Sequence, residues 1–249
     1  MLLKRLIALL YEARYKIFKG LDQALRPDME PEFMEIHKKC KQHTMTSAQR
    51  MYALYMATKY VVQHNIAGDM VECGVWRGGS SMVIAATLLT MNERGRKIYL
   101  YDTFTGMTKP GKGDTNYRNE PLEEIWESRQ TKDYNTWCYA PLEQVRKNIY
   151  STGYPEENLV FVKGPVEKTI PATMPESIAI LRLDTDWYES TYHELRHLFP
   201  RLSMHGVLLI DDYGCLKGAR DAVDKYFYEN GVKILLNRID HTGRICIKV

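Results

Sequence analysis

Two blocks with no polar residue in them, Ile178-Ala179-Ile180-Leu181 and Val207-Leu208-Leu209-Ile210, limit what this chain can fold into. A strand with one wet face alternates apolar and polar positions. A strand apolar throughout is covered on both faces, the situation of a parallel sheet between two layers of helices. The blocks sit within candidate strands 178–184 and 207–211, and shorter runs at 70–73, 98–102, 159–163, 232–236 and 244–249 repeat the pattern. Helix-periodic stretches at 81–91, 141–150, 190–199 and 218–228 lie between them. Only the turn Asp240-His241-Thr242-Gly243 separates the last two runs, so they are expected to form an antiparallel hairpin. The sequence predicts an α/β fold, a doubly wound, seven-stranded, mostly parallel sheet with an antiparallel C-terminal hairpin.

Two regions fall outside this alternation. Residues 1–65 read as a helical layer or lid on the sheet domain of 66–249, with Leu3, Leu6, Leu10, Ala13 and Ile17 at helical spacing and a second helix at 47–64. Residues 103–140 form a polar insert rich in glycine and proline that also carries Trp126, Trp137 and Tyr139. An insert this long after a strand end is uncommon without a task, and a lid over an acceptor is the expected one.

Charge narrows the choice of partner. The net charge is +3, too balanced for a whole-surface nucleic-acid binder, so none is expected. Residues 1–20 hold a local +4 on one amphipathic pattern, which fits peripheral contact with a membrane or a lipid-linked substrate, and equally a helix docked on the core or on a second subunit of a homo-oligomer. No apolar run exceeds six residues, so nothing spans a bilayer, and the N-terminus lacks the features of a signal peptide. Five scattered cysteines without a C-x-x-C pair fit reduced thiols in a cytoplasmic protein.

Three motifs carry chemistry. Val71-Glu72-Cys73-Gly74-Val75-Trp76-Arg77-Gly78-Gly79-Ser80-Ser81 leads from the first strand into a helix, and its glycines let a ligand approach the backbone. Its spacing is not the G-x-G-x-x-G of dinucleotide enzymes, and Glu72 suits a cationic ligand; the alternative is a tight turn that binds nothing. Asp102 ends the second strand, where a carboxylate can accept both hydroxyls of a ribose or else cap the following loop. Leu183-Asp184-Thr185-Asp186 and Ile210-Asp211-Asp212-Tyr213-Gly214 close the fourth and fifth strands, where ligands bind in open α/β sheets. Unit charges about 4 Å apart repel by roughly 4 kcal/mol at an effective dielectric near 20. A divalent cation with oxygen ligands, Mg²⁺ first, relieves that repulsion; raised carboxyl pKa values or solvation are the alternatives. His193 and His197 stand at i, i+4 on a helix and fit a solvated face better than a metal site.

These residues resemble the macrocin O-methyltransferase family. The matching strings are His43-Thr44-Met45, Glu72-x-Gly74-Val75-Trp76-Arg77-Gly78-Gly79, Asp102-x-Phe104-x-Gly106, Leu181-Arg182-Leu183-Asp184-x-Asp186-x-Tyr188-x-Ser190-Thr191 and Asp211-Asp212-Tyr213-Gly214. The resemblance implies a class I methyltransferase sheet of Rossmann-like form, S-adenosyl-L-methionine as cofactor and a sugar hydroxyl of a glycoside or glycolipid as acceptor. It implies that Glu72, Gly74, Gly78 and Ser80 shape the cofactor turn, with Trp76, Thr103 and Phe104 beside it. Asp102 would hold the ribose, and Thr44 and Thr46 would reach the methionine end. Asp184, Asp211 and Asp212 would hold Mg²⁺, with Asp184 the first candidate for catalytic base. Two departures stand out. The insert contains no histidine to act as base, and Trp187 occupies the position where catechol-type enzymes, the alternative class, carry a lysine. A non-catalytic nucleoside-binding scaffold at the membrane would keep the glycine turn without needing three converging acids.

Overall fold

The computed structural model describes residues 28–249, so the amphipathic pattern of residues 1–20 lies outside the described residues. Helices α1 (Pro31–Cys40) and α2 (Ala48–Gln63) come first. Ser47 caps α2, its hydroxyl accepting from Arg50 N at 3.2 Å. The sheet then alternates with helices as β1 (Asp69–Cys73), α3 (Gly79–Thr90), β2 (Ile98–Asp102), α4 (Glu123–Glu127), α5 (Leu142–Tyr150), β3 (Leu159–Lys163), α6 (Val166–Thr169), β4 (Ile178–Leu183), α7 (Tyr188–Leu198), β5 (Leu202–Ile210), α8 (Lys217–Glu229), β6 (Asn237–Arg238) and β7 (Arg244–Ile247).

The strands form one seven-stranded sheet in the order β3-β2-β1-β4-β5-β7-β6. The pairs among β1 to β5 are parallel; β7 is antiparallel to both β5 and β6. Chain direction across the sheet reverses between β1 and β4, which opens a crevice at their carboxyl ends.

Successive residues of the central strands feed opposite cores. Met70, Leu100, Ile180 and Leu209 pack with α1, α2, α3 and α5 through Phe33, Leu54, Ile84 and Ile149. Val71, Tyr101, Leu181 and Leu208 face α7 and α8 through Leu195, Leu198, Val223 and Tyr226. Every residue of β4 is buried, as its apolar block requires.

One strand is displaced from its predicted place. The run 232–236 joins no ladder, and the edge strand is the polar pair Asn237–Arg238. Val232, Ile234 and Leu236 lean on the second core while Lys233 and Leu235 face solvent, so the period-two pattern reports packing without strand pairing. The expected hairpin is present, with Asn237 opposite Ile245 and Arg238 opposite Arg244. No helix among the described residues is long and apolar enough to cross a membrane.

Candidate active site

A cavity of about 360 Å³ opens at the carboxyl ends of the strands. Thr44, Thr46, Glu72, Gly74, Trp76, Ser80, Asp102, Thr103, Asp184, Asp211 and Asp212 all line it, so most of the residues singled out in the sequence converge. Two do not. Gly78 caps α3 from a left-handed conformation, and Phe104 is buried in the first core.

The glycine turn is seated by close approach. Gly74 has φ +84°, and a Cβ there would lie 1.9 Å from the carbonyl oxygen of Asp184, so only glycine lets the β1 and β4 ends meet. Asp102 locks the other side. Its Oδ2 accepts from Val75 N at 2.8 Å and Trp76 N at 3.0 Å, and its Oδ1 from Phe104 N at 2.7 Å. Burial pushes the Asp102 carboxyl above its ordinary pKa against the pull of those three donors. The loop-capping role and a place on the cavity wall are therefore both present in one side chain.

Glu72 is not an open acidic group. It sits opposite Arg182 in the β1–β4 register, 1% exposed, with Oε1 accepting from Arg182 Nη1 at 2.7 Å and Oε2 from the Ser81 hydroxyl. The same Nη1 donates to Asp184 Oδ2 at 2.8 Å, and Nη2 donates to Asp211 Oδ1 at 2.6 Å. Arg50 of α2 takes the other oxygen of Asp211 and lies 3.0 Å from Asp240 Oδ2 in the hairpin turn. Ser47 donates to that same oxygen at 2.6 Å. Asp211, expected as a metal ligand, thus has a guanidinium on each oxygen.

The carboxylate oxygens that gather free of guanidinium bridges on both sides belong to a different set. Asp184, Asp186 and Asp212 each offer an oxygen within 4.8 Å of the others. Asp186 is held at φ +71°, a left-handed conformation uncommon for a residue with a side chain, and Trp76, Phe104 and Cys138 share that region at +47°, +55° and +54°. Burial first, and then the neighbouring carboxylates, push Asp184 and Asp186 well above the ordinary carboxyl range. Burial also disfavours charge on Asp212, but bonds from Asp186, Cys215 and Asp184 and the Arg50 charge hold it below. Six carboxylates, Glu72, Asp184, Asp186, Asp211, Asp212 and Asp240, gather around two guanidiniums here. Oxygen donors with excess negative charge fit a hard divalent cation such as Mg²⁺.

Arg50 had no role in the sequence reading; Asp240 appeared only as a turn residue, Trp137 only as an aromatic of the insert, Asp186 only within the acidic motif and not as a named ligand, and Arg182 only inside a motif. A lone arginine in a strand apolar on both faces was a usable signal, because a buried guanidinium needs carboxylate partners. Arg50 and Asp240 carry no such mark, since an arginine in a helix and an aspartate in a turn are ordinary.

The sequence profile of the macrocin-O-methyltransferase (TylF) family matches residues 34–247. An 8-demethyl-8-(2,3-dimethoxy-alpha-L-rhamnosyl)-tetracenomycin-C 4'-O-methyltransferase of Streptomyces olivaceus is 34% identical over 217 residues, covering 87% of this chain and 80% of that protein. The mycinamicin III 3''-O-methyltransferase of Micromonospora griseorubida is 31% identical over 203 residues, 81% of this chain and 76% of that one. Among solved structures, the O-methyltransferase NovP superposes with a TM-score of 0.73 at 29% identity, covering 83% of this chain and 82% of its own. This chain belongs to the macrocin O-methyltransferase family and is an O-methyltransferase.

Proposed function

We propose that the protein transfers a methyl group from S-adenosylmethionine to a hydroxyl of a sugar on a glycoside, with Mg²⁺ at the acidic cluster. The observation that carries this reading is one cavity in which the glycine turn and the Asp184–Asp186–Asp212 cluster face each other. The names of the two relatives give methylation at position 4' of a rhamnosyl-bearing tetracenomycin and at position 3'' of mycinamicin III, and the first of these supports a sugar acceptor.

When bound, S-adenosylmethionine supplies an already activated methyl group, and Mg²⁺ supplies positive charge that acidifies an acceptor hydroxyl. The chain must align that hydroxyl and take its proton. Thr44, Thr46, Glu72, Gly74, Trp76, Gly78, Ser80, Asp102, Thr103 and Phe104 remain the residues proposed to form the cofactor half. Asp184 and Asp212 would hold the cation, with Asp186 offering a third oxygen and Asp211 kept in place between Arg182 and Arg50. Asp184 is the proposed base, because it belongs to the cluster and faces the cavity.

A screen of methyl-labelled S-adenosylmethionine against glycosides and catechols, with and without EDTA, tests the reading. Label transfer to a glycoside that EDTA abolishes supports it. Transfer confined to catechols, or transfer indifferent to EDTA, overturns the acceptor or the metal assignment respectively.

A further inference from the structure

The four tryptophans divide into two kinds. Trp126 Nε1 donates to Met107 O at 2.9 Å and Trp187 Nε1 to Thr108 O at 3.0 Å, so consecutive carbonyls of the insert are pinned by indole N–H groups. Trp187 is 2% exposed and serves packing. Trp76 and Trp137 differ: each is half-buried, lines the cavity that holds the acidic cluster, and has an indole N–H without a partner among the described residues; Trp76 belongs to the glycine turn proposed for the cofactor, and Trp137 to the insert.

The placement of Trp137 is fixed before any ligand arrives. Trp137 N donates to Asn135 Oδ1 at 2.9 Å, and Trp137 O accepts from Met107 N at 3.0 Å. Asn135 is 2% exposed and also bonds Trp126 O at 2.9 Å. Gly106, at φ +88°, allows this arrangement, since a Cβ there would meet Asn135 O at 1.9 Å and Trp137 O at 3.0 Å. The Trp187 ring meets Trp137 at 76° with centroids 5.9 Å apart, and the Arg129 guanidinium stands 5.5 Å from the Trp137 ring. A rigid aromatic ring held on a cavity wall costs little ordering on binding.

We propose that Trp137 is the platform on which the acceptor's sugar ring stacks, its unpartnered indole N–H donating to a ring hydroxyl. The inference rests on the sugar reading above. A pyranose offers a patch of C–H bonds to the electron-rich face of an indole and hydroxyls around its rim. An indole thus combines an apolar face with one donor, matching both parts of such a ring. Trp137 would be a specificity-determining residue of the acceptor half, with no contact to the acidic cluster required.

Saturation-transfer NMR with methyl α-L-rhamnopyranoside as the probe, in the presence of S-adenosylhomocysteine, tests this. Transfer to the sugar C–H protons is expected with the wild type. Trp137→Ala should weaken sugar binding by about three- to tenfold. Trp137→Phe keeps an aromatic face and should lose only about twofold, the share of the N–H donor. Affinity for S-adenosylhomocysteine should stay unchanged in both, which separates a lost platform from a lost fold. Where the alanine variant fails that control, Trp137→Leu fills the volume without a ring face and takes its place. Equal transfer in the wild type and in the ringless variant overturns the platform and leaves the sugar reading standing. Absence of transfer in the wild type overturns the platform, while the sugar reading stands or falls with label transfer to glycosides.

Discussion

Arg182 donates to Asp211 Oδ1 at 2.6 Å from a guanidinium that is itself 3% exposed, and its other terminal nitrogen is shared between Glu72 and Asp184. One cation thus bridges carboxylates from β1, from the end of β4 and from the end of β5. Removing one partner of a buried ion pair leaves uncompensated charge and costs about 3–5 kcal/mol. Arg182→Met should lower stability by at least that much in urea unfolding. Arg182→Lys keeps the charge but cannot serve three carboxylates from a planar fork, so an intermediate loss is expected. Wild-type stability in the methionine variant would show that the network contributes nothing.

Asp186 and Asp211 should respond oppositely to the same change. Asp186→Asn relieves crowding among three carboxyls and leaves the Arg50 and Arg182 pairs intact, so the melting temperature should hold or rise. Asp211→Asn strips charge from between two guanidiniums and should lower it. Mn²⁺ binding followed by electron paramagnetic resonance should weaken at least about tenfold in Asp212→Asn, with methyl transfer falling by about 10²-fold or more. Unchanged Mn²⁺ affinity there would remove the cation from this cluster.

Asp240 carries a pH signature. Burial works against its charge, but Arg50, the Ser47 hydroxyl and the N–H groups of Gly243 and Thr242 more than offset it, holding the carboxyl below its ordinary 3.8. A depressed acid stabilises the fold fully above the unfolded value and loses that contribution as pH falls through the folded value. Asp240→Asn lacks the contribution at every pH. The stability gap between wild type and variant should therefore be open at about pH 5 and narrow toward about pH 3 in urea titrations. A gap independent of pH would exclude the charge as its source.

Glu194 carries the opposite sign. It is fully buried on α7, with Oε2 accepting from Thr185 Oγ1 at 3.1 Å and Oε1 without a partner. Burial, helped by Glu167, raises its carboxyl well above the ordinary 4.5. A raised acid binds its proton more tightly in the fold, so its stabilising contribution is lost as pH climbs from the unfolded value toward the folded one. Glu194→Gln, neutral throughout, should raise the melting temperature by about 2–4 °C near pH 8 and change it little near pH 5. A lower melting temperature at both pH values would mean the carboxyl is ionised and paired.

Strands buried on both faces were legible because continuous apolar blocks have few other uses: β1 and β4 lie on theirs, and β5 ends on its own but begins earlier, at Leu202 rather than Val207. The edge strand was not. Asn237 and Arg238 pair only because the 240–243 turn returns β7 alongside them, a constraint that no propensity of those two residues records. The cavity was legible where ligand-facing residues cluster at strand ends. Its supports were not, since Arg50 reaches Asp211 from 161 positions away and nothing local in α2 announces that contact. Asp186 was visible in its motif, but its place among the carboxylates depends on a left-handed backbone that sequence spacing does not specify.

The span from Ser47 to Asp240 covers 193 positions and closes over the acidic cluster through Arg50. During synthesis the glycine turn and Asp102 emerge early, and domains fold as units once their parts are available. Arg50 finds its second carboxylate only after the 240–243 turn has left the ribosome and β7 has docked beside β5. Long-range closures of this kind form late and slow folding. Without the 240–243 turn the Arg50 guanidinium beside the acidic cluster would keep Asp211 but lose Asp240, so the order of this end of the cavity depends on a turn 193 positions from Ser47.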